Sequence, residues 1–254
     1  MDTAKYLSRI GLSDVPAPTL PALFEIQKAH LYSVPYENFD ILMGKRLSLC
    51  PDALYDKIVV NRRGGYCFEL NELFGHLLRA IGYEVTDYFA RFLNDEPEGV
   101  IPKRRHHVLK VLIPGEKNAY LCDVGVGTGS PTYPIALVVN EPQDQRGNAY
   151  KMTRDPFLGW VLNVQKNGAW KPLFSFTEEP QLPCDFEAIS YFCENAPESI
   201  FNKKEMLAMR MDGGRKTLDG NEFRRFENDT VAVKTIDDPV EKAKMIREWF
   251  GIVI

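Results

Sequence analysis

No stretch of the 254 residues approaches the run of roughly 18 apolar residues that a membrane-spanning helix needs. The opening residues, Met1-Asp2-Thr3-Ala4-Lys5-Tyr6, lack the apolar core of a secretory leader. No CxxC pair is present, and the five cysteines (Cys50, Cys67, Cys122, Cys184 and Cys193) are odd in number. These gaps argue against a zinc ribbon and a disulfide framework, so reduced thiols in the cytoplasm are expected, with no metal site and no permanently bound cofactor. Positive charge is not in excess: 31 Lys+Arg face 35 Asp+Glu, a net charge of -4. A broad basic field for nucleic acid is therefore excluded, and neither nucleic acid nor a membrane is expected as a partner. No repeat, low-complexity tract or Pro/Gly/Ser-rich linker separates parts of the chain, so its parts should share interfaces. With 44% hydrophobic and 26% charged residues the composition is that of an ordinary globular protein. A chain this long buries about 70% of its unfolded surface and needs no covalent staples.

The hydrophobic period divides the chain into three stretches. Residues 1–82 read as helical. Asp2 caps a short helix with Tyr6, Leu7 and Ile10 on its apolar side, Thr19-Leu20-Pro21 opens a second, and a third covers Asp52 to Val60. The clearest helix carries Leu70, Leu73, Phe74, Leu77, Leu78 and Ile81 at helical spacing, with Gly82 in the C-cap position. Over residues 83–184 the period becomes two. Strands are expected at Tyr83–Leu93, His106–Ile113, Ala119–Val124, Tyr150–Thr153, Gly159–Gln165 and Trp170–Ser175, with turns at Pro114-Gly115 and Asn167-Gly168. Consecutive hairpins point to an antiparallel sheet or small barrel. Residues 185–254 mix a helix capped by Asp185, strands near Leu207–Met211 and Val231–Thr235, and a last helix opened by Asp238-Pro239. The expected class is α+β.

One glycine-rich run fails its context. Asp123-Val124-Gly125-Val126-Gly127-Thr128-Gly129 looks like the nucleotide loop of methyltransferases, but that loop must open a helix. Here Ser130-Pro131-Thr132-Tyr133-Pro134 follows, and its prolines prevent one.

The chemistry concentrates elsewhere. Arg62-Arg63-Gly64-Gly65-Tyr66-Cys67-Phe68-Glu69 leads into the strongest helix, which puts Cys67 at its N-terminus, where backbone N–H groups and the dipole favour a thiolate and should lower the thiol pKa. Of the four histidines, His30 and His76 fall within helical patterns as surface or packing residues, whereas His106 and His107 open a strand. Asp123 ends the next strand, and antiparallel partners bring such ends together. A thiol, an imidazole and a carboxylate make a nucleophile, a base and a group that orients the base.

These residues resemble the arylamine N-acetyltransferase family. Arg63-Gly64-Gly65-Tyr66-Cys67-Phe68-Glu69-Leu70-Asn71 is similar to its nucleophile motif, Val34-Pro35-Tyr36-Glu37-Asn38-Phe39 to an upstream motif, and Asp123-Val124-Gly125-Val126-Gly127 to its aspartate loop. The stretches Ser199-Ile200-Phe201 and Thr217-Leu218-Asp219-Gly220 also look familial. The resemblance implies a helical N-terminal bundle, a central antiparallel β-barrel and a C-terminal α/β lid around a cysteine-protease-like Cys–His–Asp core. It carries catalytic roles to Cys67, His106 and Asp123, substrate or CoA contact to Tyr36, Gly125, Val126 and Gly127, acetyl-CoA as co-substrate, and arylamines or arylhydrazines as acceptors. His106 is chosen over His107 because the family pattern has Leu at +3 and Val at +5, here Leu109 and Val111. Arg63 and Glu37 are expected to pair and brace the Cys67 loop. Val126 stands where the family usually has an aromatic, which leaves amine preference open, and Thr128 where many bacterial members have glycine, which bears on the approach of the acyl donor. The patch Lys103-Arg104-Arg105 could meet CoA phosphates or form a solvated loop. An amide synthase or another acyl-CoA acyltransferase on this fold, and a Cys–His–Asp hydrolase, are the alternatives.

Overall fold

The computed structural model describes residues 1–93, 100–145, 147–228 and 230–254. The chain opens with α1 (Thr3–Arg9), whose N-cap Asp2 accepts the Lys5 N–H, and α2 (Leu20–Ser33), capped by Thr19 and stopped before Pro35. A two-residue strand β1 (Tyr36–Glu37), a single turn α3 (Phe39–Leu42) and α4 (Pro51–Tyr55) follow. The helix expected over Asp52–Val60 changes character midway: Asp56–Val60 is a wider π turn, closed by Asn61 N–H on the Asp56 carbonyl at 2.8 Å. Helix α5 (Cys67–Ile81) is buried along most of its length, and Gly82 ends it in the left-handed conformation at φ 110°.

The second stretch is an eight-stranded antiparallel sheet. It comprises β2 (Glu84–Phe92), β3 (His106–Leu112), β4 (Ala119–Cys122), β5 (Ile135–Ala136), β6 (Gln143–Gln145), β7 (Asn148–Asp155), β8 (Gly159–Lys166) and β9 (Ala169–Phe176), in the order β5-β4-β3-β2-β9-β8-β7-β6. The sheet curls into a nearly closed barrel. Side-chain amides bridge its two ends: Gln143 Oε1 accepts the Ala136 N–H at 2.8 Å and its Nε2 donates to the Ala136 carbonyl at 2.9 Å, while Gln145 does the same with Tyr133. Tyr88, Met152, Leu162, Phe174 and Phe176 fill one side of the sheet, and Leu109, Val111 and Cys122 on the other side join the core made by α1, α2 and α5.

The last stretch holds α6 (Pro183–Asn195), β10 (Met206–Met211), β11 (Gly214–Asp219), β12 (Glu222–Glu227), β13 (Thr230–Thr235) and α7 (Pro239–Phe250). Asp185 does not occupy the N-cap. Pro183, suited to the first helical position, moves the start forward, and Asp185 reaches back to accept the Leu182 N–H at 2.7 Å. A five-stranded sheet runs β1-β10-β11-β12-β13, so Tyr36 and Glu37 from the first stretch pair with Ala208 and Leu207. The α+β class follows directly. No helix among the described residues is long and apolar enough to cross a membrane.

Candidate active site

The loop before α5 is held by hydrogen bonds and buried charge. Glu37 N–H donates to the Gly65 carbonyl at 2.9 Å, and Gly64 lies so close to the preceding strand that a Cβ would come within 2.1 Å of the Pro35 carbonyl oxygen. Arg63 bonds Glu37 Oε1 through Nη2 at 2.8 Å and Nε at 3.0 Å, the expected brace. Lys57, from the π turn, lies 2.7 Å from Glu69 and 2.9 Å from Asp40, which extends the pair into a cluster. Glu69 Oε2 accepts the Tyr66 N–H at 3.1 Å, fixing the start of α5. Burial pushes the Glu69 carboxyl up to about 7, against the pull of Lys57. Asn38 ties the same loop to the C-terminal stretch, donating to the Phe201 and Lys204 carbonyls and accepting the Met206 N–H.

The loop after β4 packs on Cys67. A Cβ on Gly125 would lie 2.8 Å from Cys67 Cα and 2.6 Å from Asn71 Nδ2, so only glycine fits without displacement. Two residues earlier, Asp123 Oδ2 meets His106 Nε2 at 2.8 Å. Its Oδ1 accepts the Gly125 N–H at 2.8 Å and Asn71 Nδ2 at 2.9 Å, and Asn71 Oδ1 accepts the Val124 N–H at 2.9 Å. His106, Asp123 and Cys67 are all buried, and His106 Nδ1 has no hydrogen-bond partner among the described residues. Phe92 and Phe174 flank the His106 ring, with centroids at 4.6 and 5.4 Å.

His107 turns to the opposite side of β3. Its Nε2 meets Asp87 Oδ1 at 2.9 Å, and its ring stacks on Phe186 at 4.0 Å. Adjacent strand residues face opposite ways, which separates the two imidazoles. His30 is a packing residue bonded to the Tyr6 hydroxyl.

The expectation of a lowered Cys67 pKa is corrected. Burial drives the thiol well above its ordinary value, the neighbouring Cys193 and Asp123 add to that, and the Phe68 N–H opposes it. Desolvation of a thiolate outweighs the attraction of a helix N-terminus when water is excluded.

Tyr36 lies in β1 beside the loop, and Gly127, at φ 57°, packs against its side chain. Val126 is half-buried against the barrel interior and donates its N–H to Ser130 Oγ at 3.0 Å. Gly127–Gly129 forms one 3-10 turn and no α-helix, consistent with the prolines that follow. Lys103 pairs with Glu198 at 2.9 Å and Arg104 with Glu179 at 2.7 Å, both exposed. The role of Asn71 had only a weak signal in sequence: it stands four residues after Cys67 and so shares its side of α5. A cleft of about 1110 Å³, lined among others by Thr128, Lys166, Arg210 and Arg215, opens beside the aspartate loop.

The comparisons agree with this architecture. A family model described as N-acetyltransferase matches residues 19–254. The arylamine N-acetyltransferase of Mycolicibacterium smegmatis is 36% identical over 257 residues, covering 99% of this chain and 92% of that protein. The solved structure of the Mycobacterium tuberculosis enzyme superposes with a TM-score of 0.92 at 32% identity, covering 99% of this chain and 94% of that one. The Mycobacterium marinum enzyme in complex with CoA gives 0.91 at 32% identity, covering 99% and 93%. This chain belongs to the arylamine N-acetyltransferases, a family of acyltransferases.

Proposed function

We propose that the protein moves an acetyl group from acetyl-CoA to an arylamine or arylhydrazine by a ping-pong route through a Cys67 thioester. The observation that carries this reading is the arrangement around Asp123: one carboxylate oxygen on His106 Nε2, the other held by Asn71 and Gly125, and Gly125 against Cys67. With Nε2–H donated to Asp123, the Nδ1 lone pair of His106 is free to take the Cys67 proton. The thiolate, now paired with imidazolium, attacks the thioester carbonyl. The carbonyl–sulfur bond to CoA breaks, and the CoA thiolate leaves with the proton from His106. A neutral aryl amine then attacks acetyl-Cys67, His106 accepts the proton from nitrogen, and the bond to Sγ breaks, returning the thiol and releasing the amide. Asp123 orients the ring and stabilises its charged form. Backbone N–H groups at the start of α5 would receive the oxyanion.

Because the thiol is strongly disfavoured as a lone thiolate, its charge is expected only as an ion pair with imidazolium. In this reading the acceptor ring meets Tyr36 and Val126, next to Phe92 and Phe174. The CoA phosphates enter the cleft bearing Arg210 and Arg215, where Arg210 Nε is buried without a partner among the described residues. Incubation with acetyl-CoA followed by intact mass spectrometry should show one acetyl adduct, mapped to Cys67 and absent from Cys67→Ala. Peptide hydrolysis without CoA turnover, or no adduct on folded protein, would sink the proposal.

A further inference from the structure

Behind the His106 side of β3 lies a second group of ionisable side chains that the acetyl-transfer reading does not use. Glu72, Asp87 and His107 are all buried, and one ligating atom from each lies within 4.8 Å of the others. Three elements, α5, β2 and β3, bring them together. On α5, Glu72, Gly75, His76 and Arg79 stand at i, i+3, i+4 and i+7, which is one face of the helix. On the sheet, Phe89 pairs with His107, so Asp87, two residues before Phe89, lies diagonally across from His107 on the same face. Gly75 leaves space where they meet: a Cβ there would lie 3.6 Å from Asp87 Oδ1 and 3.0 Å from Arg79 Nη1.

Glu72 and Asp87 are two carboxylates, and Arg79, paired with Asp87, is the guanidinium set against them. Two carboxylates buried beside one guanidinium are costly to keep out of water without further partners, and a cation bound between Glu72 and Asp87 would offset that cost. His76 supplies a further nitrogen at the entrance. Its Nε2 is 3.2 Å from Glu72 Oε1, and its side chain is 32% exposed against 2% for Glu72.

We propose that Glu72, Asp87 and His107, with His76 at the entrance, form a binding site for a divalent transition-metal ion of the zinc class. Mixed imidazole and carboxylate donors select Zn²⁺ or Co²⁺ over Mg²⁺ and Ca²⁺, which favour oxygen alone. His107 donates through Nε2, already directed at Asp87, and Arg79 keeps the outer oxygen of Asp87. The ion joins α5 to the β2–β3 pair. The inference is independent of the acetyl-transfer reading.

The test is titration of the metal-free full-length protein with Co²⁺, followed by visible absorption, and with Zn²⁺, followed by calorimetry. Cys67 is itself a thiol that could take metal, so Cys67→Ala is titrated in parallel. The expected result is one ion per chain, with the same affinity in native protein and Cys67→Ala, and d–d bands without a thiolate charge-transfer band. Glu72→Gln should weaken binding at least tenfold, and His76→Gln by about tenfold. Circular dichroism without metal checks that Glu72→Gln is folded; if it is not, the half-exposed His76→Gln carries the test alone. No saturable binding overturns the proposal, as does binding lost in Cys67→Ala or unchanged in every folded variant of Glu72 and His76.

Discussion

Gly125→Ala is the sharpest probe of how the aspartate loop meets the nucleophile. The backbone at Gly125 is not in the left-handed region, so the substitution costs nothing in conformation and acts only through the added methyl group. That methyl would sit 2.6 Å from Asn71 Nδ2, 2.8 Å from Cys67 Cα and 3.0 Å from Cys67 Cβ. Carbon contacts prefer about 3.5–4.0 Å, so loop and helix must part by about 0.5–1 Å. Asn71 cannot swing clear without releasing Asp123 Oδ1 and the His107 carbonyl, both buried acceptors. Overpacking of this kind costs about 1–3 kcal/mol. For a chain of this size that lowers the melting temperature by about 3–10 °C. A displacement approaching 1 Å between nucleophile and base slows the chemical step by about 10²-fold. Stopped-flow release of CoA in the first turnover reads the rate, and calorimetry reads the melt. A variant that acylates within twofold of wild type and melts unchanged would refute the close approach, and with it the argument that Gly125 positions Asp123 against Cys67.

His106→Gln should abolish acetyl-Cys67 formation, whereas His107→Gln should keep measurable acylation while melting lower, because His107 serves the Asp87 side; equal loss of acylation in both would contradict the assignment. Asn71→Ala removes two donor contacts and one acceptor contact. It should cost about 2–4 kcal/mol in denaturant unfolding and slow acylation more than amine binding, which separate kcat and KM measurements resolve. Arg63→Ala leaves the buried Glu37 carboxylate without its guanidinium and should destabilise by about 3 kcal/mol. Loss of rate at an unchanged melting temperature would instead give Arg63 a direct role. His30 is pushed down from 6.5 to about 3 by burial and by Arg9. Its folded pKa lies below the unfolded value, so the unfolded chain binds more protons in that window. The stability this neutral histidine contributes is complete above pH 6.5 and is lost as pH falls toward 3, by about 2 kcal/mol at pH 5. Glu69, raised from 4.5 to about 7, works in the opposite sense: its share is present below about 4.5 and lost as pH rises through 7. Comparing urea unfolding of wild type and His30→Gln at pH 5 and 8 isolates the histidine; identical pH slopes would contradict it.

Much of the architecture was legible in the chain because its signals are local. The apolar stripe from Leu70 to Ile81 with Gly82 behind it made α5 certain, and alternation with Pro-Gly and Asn-Gly turns marked β3, β4, β8 and β9. Strands whose pairing is decided far away were not legible. β1 is two residues long and exists because β10, some 170 residues later, lies beside it. β12, with the sequence Glu-Phe-Arg-Arg-Phe-Glu, shows little alternation because much of the five-stranded sheet stays partly exposed to water. The barrel ends were hidden for the same reason, since Gln143 and Gln145 bridge them through side chains.

The sequence by itself determined the identities of a chemically coherent set, Cys67 before a strong helix and a histidine and an aspartate on neighbouring strands, because residue type and short spacing are written in the chain. The resemblance to the family pattern, with Leu109 and Val111 at +3 and +5, selected His106 over His107. Only the tertiary structure decided the rest. It separated His106 from His107 by the alternation of β3 and bound Asp123 on both oxygens. It also brought Glu72, Asp87 and His107 together from three elements. The same burial reversed the expected direction for the Cys67 thiol. A helix N-terminus is a local feature that sequence reveals, but the loss of water around a thiol is a property of everything packed against it.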